Sequence, residues 1–96
     1  MVEGQAEADS AGRTRRKPPA DWDAYDYYRQ GRAHFYRYES DKSEPLFVRC
    51  VELDSTFGQG HAFLAQALVG KFCYDNDPRT LQKAWDSART ALALDR

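Results

Sequence analysis

The fold is written most clearly in His61-Ala62-Phe63-Leu64-Ala65-Gln66-Ala67-Leu68. Large side chains at His61, Leu64 and Leu68, with a small one at Ala65, recur at spacings of three and four. That period places them on one face of an α-helix. Phe57 and Phe72 extend the stripe, so a helix is expected from about Gly58 to Phe72. Asp75-Asn76-Asp77-Pro78 then reads as a turn in which Asp77 caps a new helix and Pro78 takes its first position. Leu81, Ala84, Trp85, Ala88, Ala91 and Leu92 form the stripe of that helix.

Upstream, Asp21 is suited to cap a helix whose large residues fall at Trp22, Tyr25, Tyr28, Phe35 and Tyr38, with Tyr27, Gly31 and His34 adjoining. A glycine inside a helix costs about 1 kcal/mol relative to alanine, so Gly31 predicts the close approach of a second helix. The polar break Glu39-Ser40-Asp41-Lys42-Ser43 follows. After it a shorter helix carries Leu46, Phe47, Cys50, Val51 and Leu53, with Pro45 expected in its first turn and Asp54-Ser55 at its close. Four amphipathic helices and no strand make an all-α chain.

The two halves of the sequence repeat. An offset of 34 residues sets Tyr27 on His61, Gly31 on Ala65, His34 on Leu68 and Tyr38 on Phe72. The second and fourth helices align at an offset of 41, with Phe47 on Ala88, Cys50 on Ala91, Val51 on Leu92, and Leu53-Asp54 on Leu94-Asp95. The difference is a seven-residue insertion in the second unit between Gly70 and Leu81, expected to lengthen that hairpin.

Period and residues together resemble the tetratricopeptide repeat. The second unit carries His61, Leu64, Ala65 and Leu68, then Ala84, Ala88 and Ala91 to Asp95; the first carries Tyr27, Gly31 and His34, then Ser43, Phe47 and Cys50 to Asp54. These match the family's alternation of large and small positions over residues 24–96. Departures are Gln30 where leucine is usual, Ala88 where an aromatic is usual, and Ser55 and Arg96 in place of the inter-repeat proline. The resemblance implies two helix–turn–helix hairpins, about 21–55 and 56–96, whose four antiparallel helices form a fragment of a right-handed α-solenoid. It also implies a protein–protein interaction module that holds a peptide or protein segment in a concave groove. Carried across, the groove positions are Tyr25, Tyr28, Arg32, Phe35 and Tyr36 from the first unit, and Gln59, Ala62, Gln66 and Val69 from the second. Tyrosine and arginine suit such a surface, because they give broad contact at small entropic cost. Packing within the hairpin is the competing account for Tyr25 and Phe35. The lysine-and-asparagine clamp of chaperone-binding members is not reproduced, so a C-terminal carboxylate ligand is not implied. Residues 24–32 and 45–54 further resemble repeat regions of bacterial regulators, in which such repeats accompany an adenylate or guanylate cyclase domain or a winged-helix DNA-binding domain. This makes a regulatory or truncated fragment the alternative.

The remaining features bound the function. With 96 residues, 42% of them hydrophobic and 30% charged, the chain is at most one small domain. Residues 1–20 hold almost no large apolar side chain and are expected to be a disordered tail or linker. Within them the short basic run from Arg13 to Lys17 reads as solvated linker rather than a nucleic-acid site. A net charge of −1 supplies no field toward nucleic acid or membrane. Neither a secretory signal nor an apolar run of spanning length is present, so the expected compartment is cytoplasmic. Cys50, Cys73, His34 and His61 lack metal-ligand spacing, and neither a metal nor a cofactor is expected. No nucleophile elbow or phosphate loop is found, so no enzyme is expected. Two units ending on Leu92, Leu94 and Asp95 leave an apolar flank, which predicts either a homo-oligomer or a longer array.

Overall fold

Asp23, not Asp21, opens the first helix in the computed structural model, which describes residues 17–95. Its carboxylate accepts from the Asp26 amide at 2.8 Å, and the Asp26 carboxylate accepts from the Asp23 amide at 3.0 Å. This reciprocal capping box satisfies two amides that a helix start leaves without partners. Asp21 instead ends a 3₁₀ turn, Pro19–Asp21. Lys17 Nζ donates to Asp26 at 3.0 Å, and Trp22 Nε1 donates to the Lys17 carbonyl at 3.1 Å. Residues 17–20, expected to belong to the tail, therefore make defined contacts with the start of α1. The rest of the expected tail, residues 1–16, lies outside the described residues, as does Arg96.

Four helices follow: α1 (Ala24–Phe35), α2 (Ser40–Leu53), α3 (Gly58–Asp75) and α4 (Pro78–Leu94), with no strand among the described residues. The polar break expected at 39–43 is mostly helix, since α2 begins at Ser40. Pro45 is consequently its sixth residue rather than a first-turn residue. Its ring is exposed, so the helix loses one donor without burying the defect. The insertion enters helix rather than loop: α3 has 18 residues against 12 in α1, and only Asn76 and Asp77 separate it from α4.

Consecutive helices pack antiparallel. Gly58 at the start of α3 faces Leu94 at the end of α4, while Thr80 Oγ1 donates to Asp75 at 2.8 Å across the other end. Between the hairpins, Gly60 meets Cys50 and Gly70 meets Ser40, so α2 and α3 also run in opposite senses. Gly31 has the expected role. A methyl group there would lie 2.7 Å from the Phe47 ring, well inside contact distance. Phe47 fills the space that glycine leaves, stacking on Phe63 at 5.6 Å, with Tyr28 edge-on to Phe63 at 5.7 Å. Tyr28, Phe47, Cys50, Leu64, Ala67, Leu68 and Ala84 make the buried core.

Candidate interaction groove

The expected groove residues divide between core and surface. Tyr28 is only 3% exposed and belongs to the core, where its ring packs on Phe47, Phe57 and Phe63. Its hydroxyl donates to Gln59 Oε1 at 3.1 Å, tying α1 to the first turn of α3. Arg32, one turn along α1, donates to the Tyr28 hydroxyl at 3.3 Å and to the Tyr36 hydroxyl at 3.2 Å. Its guanidinium carbon lies 5.2 Å from the centre of the Phe63 ring, and 5.3 and 5.5 Å from those of Tyr28 and Tyr36. Such a position gains from the negative faces of all three rings. Arg32 is thus a fixed cation that holds Tyr36 in place. Tyr25, half exposed, packs at a tilt against Tyr28 and Phe57 and carries Arg29 over its ring at 4.2 Å.

Phe35, Tyr36 and Gln66 line a surface cavity of about 600 Å³ between the end of α1 and the second half of α3. Tyr38, Ser40, Val69, Gly70, Cys73 and Tyr74 complete its wall. No charged side chain lines it, and aromatic faces dominate. Tyr25 and Gln59 lie away from this cavity, against the start of α3.

Tyr38 and Tyr74 were not anticipated as site residues. The repeat register gives Tyr38 the packing place of Phe72, yet Tyr38 is 90% exposed. It lies in the connection after α1, with φ of 62°, the left-handed backbone that glycine normally supplies at a helix end. The Glu39 amide donates to the His34 carbonyl at 3.0 Å and the Tyr38 amide to the Phe35 carbonyl at 3.0 Å, which closes the helix around it. Glu39 also accepts at 2.8 Å from the His34 ring; that bond, then Lys42, holds its carboxyl below the usual range. The left-handed conformation costs a side-chain-bearing residue roughly 1–2 kcal/mol. A legible signal existed: Tyr36, Tyr38 and Tyr74 are aromatics next to helix ends, where packing demand is weakest.

The other chemically reactive side chains do not assemble. Cys50 is buried, and desolvation pushes its thiol up to about 11, with Asp54 and Asp23 adding to the effect. Cys73 is a free, exposed thiol in the cavity wall. His61 Nε2 lies 2.9 Å from the Ser55 carbonyl. Asp75 and Asp77 serve the second connection: Asp75 accepts from the Asp77 amide and Asp77 from the Arg79 amide, each at 2.9 Å. Among the described residues no three His, Cys, Asp or Glu side chains cluster to hold a metal ion, and no helix is long and apolar enough to cross a membrane. No protein-family model, curated protein or solved structure matches this chain.

Proposed function

We propose that the chain is a tetratricopeptide-type interaction module, its hairpins part of a right-handed α-solenoid, acting without catalysis in the cytoplasm. In this reading the aromatic cavity holds an uncharged, apolar or aromatic part of a protein segment. One observation carries it: Tyr38 keeps a strained left-handed backbone while 90% exposed beside Tyr36, Tyr74 and the cavity. Strain held where nothing in the fold requires a tyrosine points to a use outside the fold. Tyrosine-lined recesses are rich in the side chains that dominate binding energy. The cavity wall pairs no acid with a base, which supports holding over reacting.

The test is selection from a displayed peptide library against the whole chain, with a Tyr38→Gly, Tyr74→Ala double variant in parallel. Both side chains are solvent-exposed, so the variant keeps its helical circular dichroism. Peptides with aromatic or large apolar anchors are expected to enrich on the natural chain and to bind the variant at least tenfold more weakly. Equal enrichment on both would remove the cavity from the function. The similarity of residues 24–32 and 45–54 to bacterial regulator repeats supports a second reading, in which the module serves a cyclase or winged-helix domain. A coding frame for such a domain beside this one would distinguish it.

A further inference from the structure

A second unpartnered surface lies on α4. Leu81, Trp85, Ala88 and Leu92 follow one another at spacings of four, three and four. That is the seam along which two helices interlock side chains. Trp85 is 62% exposed and Leu92 71%, although the adjoining flank of the same helix, at Ala84, is buried in the core. Beside Trp85 is a recess of about 340 Å³ lined by Ala65, Gln66, Val69, Leu81, Ala84 and Ala88. The repeat register identifies this face: it corresponds to the side of the first hairpin that receives α3. No described element occupies it.

We propose that this face is the interface of a two-fold homodimer in which α4 of one copy lies antiparallel to α4 of the other. Three observations select a second copy, and that geometry, as the occupant. The seam is self-complementary. Antiparallel pairing about a point midway between Asp86 and Ser87 sets Leu81 opposite Leu92 and Trp85 opposite Ala88, so each indole meets a small residue and enters the partner's recess. Flanking charge agrees. The same pairing brings Arg89 beside the partner's Gln82, whose amide holds the Asp86 carboxylate at 3.0 Å, and no like charges meet. Head-to-tail stacking of copies is disfavoured. The α3 residues that dock on the first hairpin include Phe57, Gly60 and Phe63, whereas their counterparts on α1 are Asp23, Asp26 and Arg29, with Lys17 already bound to Asp26. Burying those charges against Leu81 and Trp85 would strand them without water.

The interface borders the aromatic cavity at Gln66 and Val69, which line both, but Tyr38 and Tyr74 lie outside it, so the two readings are tested by different variants. Sedimentation equilibrium on the full chain is expected to show a reversible dimer at or below about 100 μM. Trp85→Glu should raise the dissociation constant about 30-fold or more, the change of a central hot spot, with helical circular dichroism intact. Leu92→Glu repeats the test at the other exposed end. For orientation, chains carrying Gln82→Cys and Arg89→Cys in a Cys73→Ser background are mixed and treated with a short bis-maleimide. The mixed product should exceed both self-linked products. A monomer at that concentration, a dimer indifferent to both glutamates, or self-linking at Gln82→Cys in equal yield would each overturn the proposal.

Discussion

Helices α2 and α4 hold the same place in their hairpins and meet different fates. Phe47 and Cys50 of α2 have no exposed surface, whereas their counterparts Ala88 and Ala91 on α4 are half-buried beside an exposed Trp85. The difference does not come from the hairpin partner, because each helix packs along the first helix of its own unit. It comes from the next unit: α3 covers α2, and nothing described covers α4. In stacked helical hairpins, then, burial of the second helix belongs to the neighbour. The two starts show the same asymmetry. Helix α1 opens on a charged capping box, while α3 opens on Phe57 and Gly60, without a side-chain cap and packed beneath Tyr28 and Cys50.

The comparison breaks most visibly at Phe47. Phe47→Ala removes a ring that stacks on Phe63, fills the hollow above Gly31 and has no route to collapse, because glycine cannot replace the lost volume. A loss of about 3–5 kcal/mol is expected, enough to take much of a domain this size near its unfolding midpoint. Trp85→Ala, read at concentrations where the chain is monomeric, should shift stability by less than about 0.5 kcal/mol. Urea unfolding of both variants measures the contrast. Equal losses would mean that α4 is covered as thoroughly as α2.

Much of the fold is legible in the sequence. The period of three and four gave four helices and their faces, Gly31 gave the close crossing, and Asp77-Pro78 gave the second connection, because each depends on local chemistry. The first cap differs from the expected Asp21 by two residues because Asp21, Asp23 and Asp26 are equally able to cap; only pairing between Asp23 and Asp26 decides among them. Pro45 lies deeper in α2 than its first-turn preference implies, since nothing local says that Ser40 already begins the helix. Tyr28, expected on the surface of a groove, is buried in the core. Facing inward or outward at that position depends on Phe57 and Phe63, aromatic residues of another helix whose approach no single stripe encodes.

The charged start of α1 gives a prediction specific to it. Burial raises the proton affinity of the Asp26 carboxyl, but the Asp23 amide and Lys17 outweigh that and hold it below its ordinary value of 3.8. A depressed folded value means that the contribution to stability is present above about pH 4 and lost as pH falls through the folded value. Asp26→Asn should therefore destabilise the chain at pH 7 by roughly the worth of a cap, about 1 kcal/mol. The gap to the natural chain should narrow between pH 7 and a pH well below the ordinary carboxylate value. Thermal unfolding at the two pH values reads this directly. A gap independent of pH would place the effect in the amide geometry rather than in the charge. The corresponding residue of α3, Gly60, has nothing to titrate, so acid should loosen the first hairpin's entry before the second's.

A further small effect distinguishes the two hairpin connections. Each places one residue in left-handed backbone, Tyr38 at φ of 62° and Asn76 at φ of 50°. Asparagine visits that region with little penalty and tyrosine does not. Replacing either by glycine relieves the backbone but adds freedom to the unfolded chain, a loss of about 0.5–1 kcal/mol. For Asn76→Gly the two nearly cancel. For Tyr38→Gly the relief is larger, and a net gain of about 0.5–1 kcal/mol is expected because the exposed ring has little packing to lose. Chemical denaturation resolves a change of that size. A stabilised Tyr38→Gly chain that also binds fewer peptides would show that the tyrosine is kept for contact at the expense of the fold. A destabilised one would return Tyr38 to structure, and the comparison between the hairpins would rest on α4 alone.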